Sequence, residues 1–150
     1  MRVREFRCEI WLPLPPEKLF PFFADAGNLN AITPPWLHFD ITTPLPIGMQ
    51  AGTLIDYKLR VRGLPLRWRT LIREWQPPHR FVDEQLRGPY RRWIHEHTFE
   101  PHDGATLARD VVHYAVPMDF LVHPLFVRRD IERIFAFRQK ALGNRFGVRT

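Results

Sequence analysis

A single cysteine, Cys8, stands in 150 residues. An intrachain disulfide is therefore excluded, and the chain suits a reducing compartment. No apolar run approaches the roughly 18 residues that a membrane-crossing helix needs. The opening Met1-Arg2-Val3-Arg4-Glu5 has no apolar h-region, so no signal peptide is expected and the expected location is cytoplasmic. No internal repeat, low-complexity tract or interdomain linker is visible, and the length predicts one domain over residues 1–150. No nucleophile or oxyanion-hole motif is visible, and no compact run of metal ligands. No catalytic residue, metal or cofactor is therefore assigned.

Aromatics are plentiful: twelve Phe, five Trp and three Tyr, enough to fill a core or to line an apolar pocket. A domain of this size buries about 68–70% of its unfolded surface, so a real core is affordable. The net charge is +6, and arginine supplies most of the positive charge. That balance permits contact with nucleic acid, anionic lipid or an acidic protein.

Periodicity divides the chain. Phe6 to Leu12 alternates as a first strand. Pro15-Pro16 opens a short helix with Leu19, Phe20, Phe22 and Phe23 on its apolar side, ended by Gly27. A second single turn is expected at Asn28 to Ile32, and Thr33-Pro34-Pro35 forces the chain out of helix. Strands are then predicted over Leu37 to Thr43, Thr53 to Arg62, Leu66 to Trp75, Phe81 to Leu86, Arg92 to Glu100 and Thr106 to Val116. Gly63-Leu64-Pro65, Pro77-Pro78, Gly88-Pro89-Tyr90 and Asp103-Gly104 separate them. From about His123 to Arg145 the period becomes helical, with Val127, Ile131, Ile134, Phe135 and Leu142 as one stripe. Tight turns imply antiparallel pairing, and clean alternation implies a sheet covered on one face. The long terminal helix is its natural cover.

The segment from Phe81 to Phe99 is the most telling. A hairpin centred near Gly88 and Pro89 sets Asp83 opposite His95 and Phe81 opposite His97. Phe81, Trp93 and Phe99 then share one face with Asp83, Gln85, His95 and His97. The Asp103-Gly104 turn adds Asp110, Val112 and Tyr114, with His97 facing Asp110 and Trp93 facing Tyr114. Polar groups among large aromatics resemble the wall of a cavity more than a plain core strand.

This order of elements, with Ile32-Thr33-Pro34-Pro35-Trp36-Leu37, Trp75-x-Pro77-Pro78-x-x-Phe81-x-Asp83-x-Gln85, Gly88-Pro89-Tyr90 and Trp93-x-His95-x-His97-x-Phe99, resembles the START-like helix-grip superfamily. That group is also called SRPBCC, or polyketide cyclase/dehydrase and lipid transport, and the likeness is to its coenzyme Q-binding-like subgroup. The resemblance implies an α+β fold. A curved, seven-stranded antiparallel sheet would grip a long C-terminal helix, with two short helices after the first strand. It also implies a cavity between sheet and helix for lipids, isoprenoids, quinones or polyketides. Most members of the group bind or carry ligands, and a few are cyclases or aromatases.

The expected function is accordingly non-enzymatic binding or transport of a small hydrophobic ligand. Tyr57, Trp68, Phe81, Trp93 and Ile134 would supply wall contacts, and Asp83, Gln85, His95, His97, Asp110 and Tyr114 the polar cluster. Left unpaired in the interior, those polar groups would cost about 1–3 kcal/mol each. The cluster admits a closed hydrogen-bond network, a ligand-orienting role, a metal held by His95 and His97, or acid–base chemistry by a His–Asp pair. The alternatives to a binder are a cyclase or aromatase using that pair, and an interaction module using Arg60, Arg62, Arg67, Arg69 and Arg73. Those arginines fall on the outer sheet face, where an anionic membrane surface or an acidic protein could dock. Nucleic acid is not expected, because the aromatics alternate to the opposite face. The loops at Thr33–Trp36 and Ile47–Met49 either pack on the sheet edge or form a lid, and Tyr90 is a gate or an ordinary turn aromatic.

Overall fold

The computed structural model describes residues 1–147. Seven strands form one sheet: β1 (Arg4–Leu12), β2 (Asp40–Ile41), β3 (Leu54–Val61), β4 (Leu64–Gln76), β5 (Arg80–Arg87), β6 (Arg92–His102) and β7 (Ala105–Ala115). Their spatial order is β1-β7-β6-β5-β4-β3-β2, and every neighbouring pair is antiparallel. Helix α1 (Pro16–Ala24) and 3-10 turns at Ala26–Ile32 and Pro35–Leu37 follow β1. At the other end of the chain, α2 (Asp119–Val122) runs through a π turn (His123–Val127) into α3 (Arg128–Phe146). This is the expected α+β helix-grip architecture.

Several boundaries differ from the sequence reading, each for a local reason. Helix α1 stops before Asp25 rather than at Gly27, because the Asp25 carboxylate accepts the Gly27 amide at 3.0 Å and starts a 3-10 turn. The expected strand over Leu37 to Thr43 shrinks to Asp40–Ile41. The 3-10 turn at Pro35–Leu37 and the left-handed His38 (φ 47°) use up its beginning. The β3–β4 turn centres on Arg62 and Gly63, both at positive φ, the geometry that a two-residue hairpin favours. Leu64 and Pro65 therefore belong to β4. The terminal helix starts at Asp119 rather than near His123. The widened π turn lies where Pro124 removes an amide donor from the helical ladder.

The inner face of the sheet carries the core. Leu12, Leu19, Phe20, Phe81, Phe99 and Leu142 pack together beside α1. Further along, Val112, Tyr114, Ile131 and Phe135 form a second group. A β-bulge between Ile72 and Glu74 leaves Arg73 unpaired and shifts the alternation, so Trp75 joins Phe81 and Phe20 in the interior. Ion pairs cover the outer face: Arg69 with Asp56, Arg73 with Glu84, Arg80 with Glu74 and Glu96, and Arg109 with Glu9. Among the described residues, no helix is long and apolar enough to cross a membrane.

Candidate functional site

Alternation along β5, β6 and β7 brings Asp83, His95, His97 and Asp110 to the inner face as a four-cornered cluster. The backbone register sets Asp83 opposite His95 and His97 opposite Asp110. The shortest contacts run along the diagonals instead: His97 Nε2 to Asp83 Oδ2 at 2.6 Å and His95 Nε2 to Asp110 Oδ1 at 2.7 Å. The two imidazoles stack with centroids 3.6 Å apart. Their Nδ1 atoms face the remaining corners, at 3.7 Å from Asp83 for His95 and 3.3 Å from Asp110 for His97. Both histidines and Asp110 are buried.

The sequence reading missed Arg138. It projects from α3 onto this cluster, with Nη2 3.3 Å from His97 Nδ1 and 3.6 Å from Asp110 Oδ1. Its guanidinium also lies 5.7 Å from the Phe23 ring centroid. Arg138 falls on the buried stripe Ile131, Phe135, Arg138, Leu142, whose spacing marks one helix face. An arginine on an apolar stripe is the signal that would have found it.

Opposite charges meet within the cluster. Burial pushes the Asp110 carboxyl up, but Arg138 and both histidines hold it well below the usual carboxylate range. Burial likewise opposes ionisation of Asp83, yet His95 and His97 hold it below its ordinary value. Burial alone would lower His97, while its bonds to Asp110 and Asp83 carry it above the ordinary imidazole value. His95 is lowered, first by burial and then by its stacked neighbour His97. Two carboxylates thus face Arg138 and His97, whose protonation they favour over that of His95. When neutral, His97 accepts from Arg138 through Nδ1; when protonated, it donates from the same nitrogen to Asp110.

One ligand atom each from Asp83, His95 and His97 lies within 4.8 Å of the others, a spacing that could hold a metal ion. The Arg138 guanidinium beside Asp110 opposes a cation there, and each of the three side chains already has a hydrogen-bond partner.

Next to this cluster the inner face becomes an aromatic wall. Tyr57 stacks on Trp68 at 5.9 Å, Trp93 meets Trp68 at 5.5 Å, and Tyr90 contacts both tryptophans. Val127 and Ile134 close it from the helix side. Trp68 is buried, whereas Tyr57, Tyr90, Trp93 and Ile134 are only half-buried although they face inward. Among the described residues, Trp68 Nε1 is a buried donor with no acceptor, and so is Arg138 Nε. The Tyr57 hydroxyl meets Thr70 Oγ1 at 3.2 Å, and burial raises its pKa above the ordinary phenol value.

The remaining predicted residues lie apart from the charge cluster. Gln85 is committed to the β5–β6 turn, donating to the Tyr90 carbonyl at 2.7 Å and accepting the Tyr90 amide at 3.0 Å. Tyr114 reaches the helix start instead, where its hydroxyl meets His123 Nε2 at 2.8 Å. Phe81 stacks on His97 at 4.0 Å and packs into the core beside Phe20 and Trp75. Phe135 lies 5.4 Å from His95, so the helix rests on the histidines. The histidine end of the inner face is therefore filled by side chains, and the half-buried part lies at the aromatic wall. Elsewhere the described residues line surface recesses of about 840 Å³ beside the start of α2 and about 440 Å³ on the outer face around Arg80.

A family model for polyketide cyclase / dehydrase and lipid transport matches residues 12–142. No curated protein matches the chain in sequence. Among solved structures, the fold is similar to the Zhui aromatase/cyclase from Streptomyces sp. R1128. The TM-score is 0.75 at 16% identity, over 96% of this chain and 93% of that one. A protein from Chromobacterium violaceum gives a TM-score of 0.73 at 17% identity, over 97% and 99% of the two chains. A nucleoside-diphosphate sugar epimerase from Corynebacterium glutamicum shares 25% identity with a TM-score of 0.66, over 91% of this chain but 28% of that one.

Proposed function

The chain belongs to the polyketide cyclase/dehydrase and lipid transport family, and from that premise we propose that it binds or carries a small hydrophobic molecule without transforming it. The ligand rests against Tyr57, Trp68, Trp93 and Ile134. The observation that carries this reading is Trp68 Nε1, a buried donor with no acceptor among the described residues, set in a wall whose other members are half-buried. A buried donor normally has a partner, and forgoing one costs about 1–3 kcal/mol. An aromatic, isoprenoid or polyketide-like molecule with a carbonyl or ether oxygen supplies both the apolar area and the missing acceptor. Binding without turnover is supported at the histidines, because all four ring nitrogens face Asp83, Asp110 or Arg138. Three of the four are within hydrogen-bond distance of those groups, and only His95 Nδ1, 3.7 Å from Asp83, makes no hydrogen bond within the cluster.

Native mass spectrometry of freshly purified protein, followed by organic extraction, tests the reading. A co-purified lipid-like adduct is expected, together with quenching of tryptophan fluorescence by oxygenated hydrophobic probes. Apo mass alone, with no quenching across a hydrophobic library, would overturn it.

A cyclase or aromatase is the second reading. The 2.6 Å bond between His97 and Asp83 favours it, since an oriented imidazole is what general acid–base chemistry uses. Substitution His97→Asn separates the two readings: an enzyme loses turnover while still binding, whereas a binder shows no turnover to lose.

A further inference from the structure

The end of the molecule where α2 begins has a composition unlike the rest of its surface. The segment from Asp119 to Val127 reads DFLVHPLFV, and α2 contributes no buried residue. Phe120 is 80% exposed, Leu125 58% and Phe126 43%, with Leu121 exposed beside them. The β3–β4 turn brings Leu64, 67% exposed, to the same end. Arg62 ties the two together: its guanidinium lies 4.7 Å from the Phe126 ring centroid and donates to Asp130 at 2.8 Å. Solvated apolar side chains grouped in this way mark an interaction site.

Cations surround the patch. Its carboxylates are already matched: Asp119 by Arg4, Asp130 by Arg62 and Glu132 by Arg128. Arg2, Arg91, Arg92 and Arg129 are exposed and, among the described residues, lack a carboxylate partner. Arg2 and Arg91 line the 840 Å³ recess together with Met118 and Phe120. On the outer sheet face Arg69, Arg73, Arg80 and Arg109 are paired, whereas Arg60 and Arg67 are exposed there and, among the described residues, also lack a carboxylate partner.

We propose that this end docks on an anionic lipid bilayer, with Phe120, Leu121, Leu125, Phe126 and Leu64 entering the interfacial region and the unpaired arginines meeting lipid phosphates. An apolar helix flanked by basic side chains has the composition of an interfacial element. Lipid reshapes around protruding side chains, whereas a folded partner would need a pocket cut for Phe120. A two-fold dimer through this face would bring Arg2, Arg91, Arg92 and Arg129 of both copies together, so like charges oppose a second copy. The inference stands independently of the ligand reading.

The test is flotation of the full chain with vesicles of phosphatidylcholine alone, or of phosphatidylcholine with phosphatidylglycerol at about one lipid in three. Sedimentation velocity of the same samples without lipid accompanies it. The expected result is binding to the anionic vesicles at least about tenfold tighter than to the neutral ones. High salt should weaken it by screening. The double variants Phe120→Ser/Leu125→Ser and Arg91→Glu/Arg129→Glu should each lose about tenfold or more while keeping the wild-type circular dichroism melt. The outer-face variant Arg67→Glu/Arg69→Glu should bind as wild type. Failure to float with anionic vesicles at low salt would overturn the proposal, as would wild-type binding by both patch variants. Loss confined to Arg67→Glu/Arg69→Glu would move docking to the outer face. A dimer that the patch variants convert to monomer, with no vesicle binding, would assign the face to a second copy.

Discussion

Arg138 Nη2 on α3 stands 3.6 Å from Asp110 Oδ1 on β7, and each residue is less than one-tenth exposed. The pair joins the long helix to the sheet through opposite charges in a low-dielectric layer. Removing Arg138 leaves the buried Asp110 carboxylate with the two histidines alone, and breaking a buried ion pair costs about 3–5 kcal/mol. Arg138→Met should therefore destabilise the fold by about that amount, read by urea unfolding. Combined with Asp110→Asn, the loss should be smaller than the sum of the single losses by about 1 kcal/mol or more. Strict additivity would show that the two charges do not depend on one another.

The same cluster sets a pH dependence whose sign follows from the directions of its shifts. Asp83 and Asp110 ionise below their ordinary values in the fold. Their stabilisation is present above the unfolded carboxylate value and is lost as pH falls through the lowered folded values. His97 is raised, so its contribution is present below the ordinary imidazole value and fades as pH rises through the raised one. His95 is lowered, so protonating it costs stability as pH falls below the ordinary imidazole value. The two histidines oppose each other near neutrality, while the carboxylates act together in acid. Thermal midpoints measured from about pH 8 to pH 3 should change little at first and then drop steeply below about pH 4, and Asp110→Asn should flatten that drop. An acid limb of equal steepness in the variant would assign acid unfolding to other carboxylates.

The architecture was legible because period two and turn dipeptides are local signals. Phe81 opposite His97, Asp83 opposite His95 and His97 opposite Asp110 all follow from counting outward from Gly88-Pro89 and Asp103-Gly104. The short strand at Asp40–Ile41 was not legible, because a 3-10 turn and a left-handed His38 override the alternation from Leu37 onward. Alternation names a face but not a partner. It placed Gln85 and Tyr114 with the histidines, whereas long side chains reach along the strand, Gln85 to Tyr90 and Tyr114 to His123. The diagonal crossing of the His–Asp bonds is invisible to register for the same reason. Arg138 escaped because the helical stripe was read from its apolar members alone, although its position on the Ile131–Phe135–Leu142 stripe placed it inward.

Gly88 shows how the β5–β6 turn depends on Gln85. A Cβ at position 88 would run into the Gln85 amide, which holds the turn closed through both bonds to Tyr90. Gly88→Ala should therefore break those bonds and destabilise the protein by about 1–2 kcal/mol. Adding Gln85→Ala removes the obstructing group, so the alanine at 88 should then cost little beyond the loss already caused by Gln85→Ala. Chemical unfolding of the four proteins in this cycle checks the coupling. If Gly88→Ala costs the same in both backgrounds, backbone conformation rather than Gln85 sets the requirement for glycine.

Trp68 gives the most direct reading of ligand chemistry, because its Nε1 has no acceptor among the described residues. Trp68→Phe removes that donor and reduces the aromatic surface. The loss of surface weakens every hydrophobic ligand, while the loss of the donor weakens only those that carry an acceptor. A matched pair of probes, a naphthoquinone and naphthalene, separates the two by equilibrium dialysis. The quinone should lose an additional 0.5–1.5 kcal/mol or so relative to the hydrocarbon, up to about tenfold in affinity. Thr70→Val, which removes the hydroxyl bonded to Tyr57 and leaves Trp68 in place, should show no such difference between the probes. Equal losses for both probes in Trp68→Phe would mean that the indole contributes area alone, and that the polar end of the ligand is held elsewhere on the inner face.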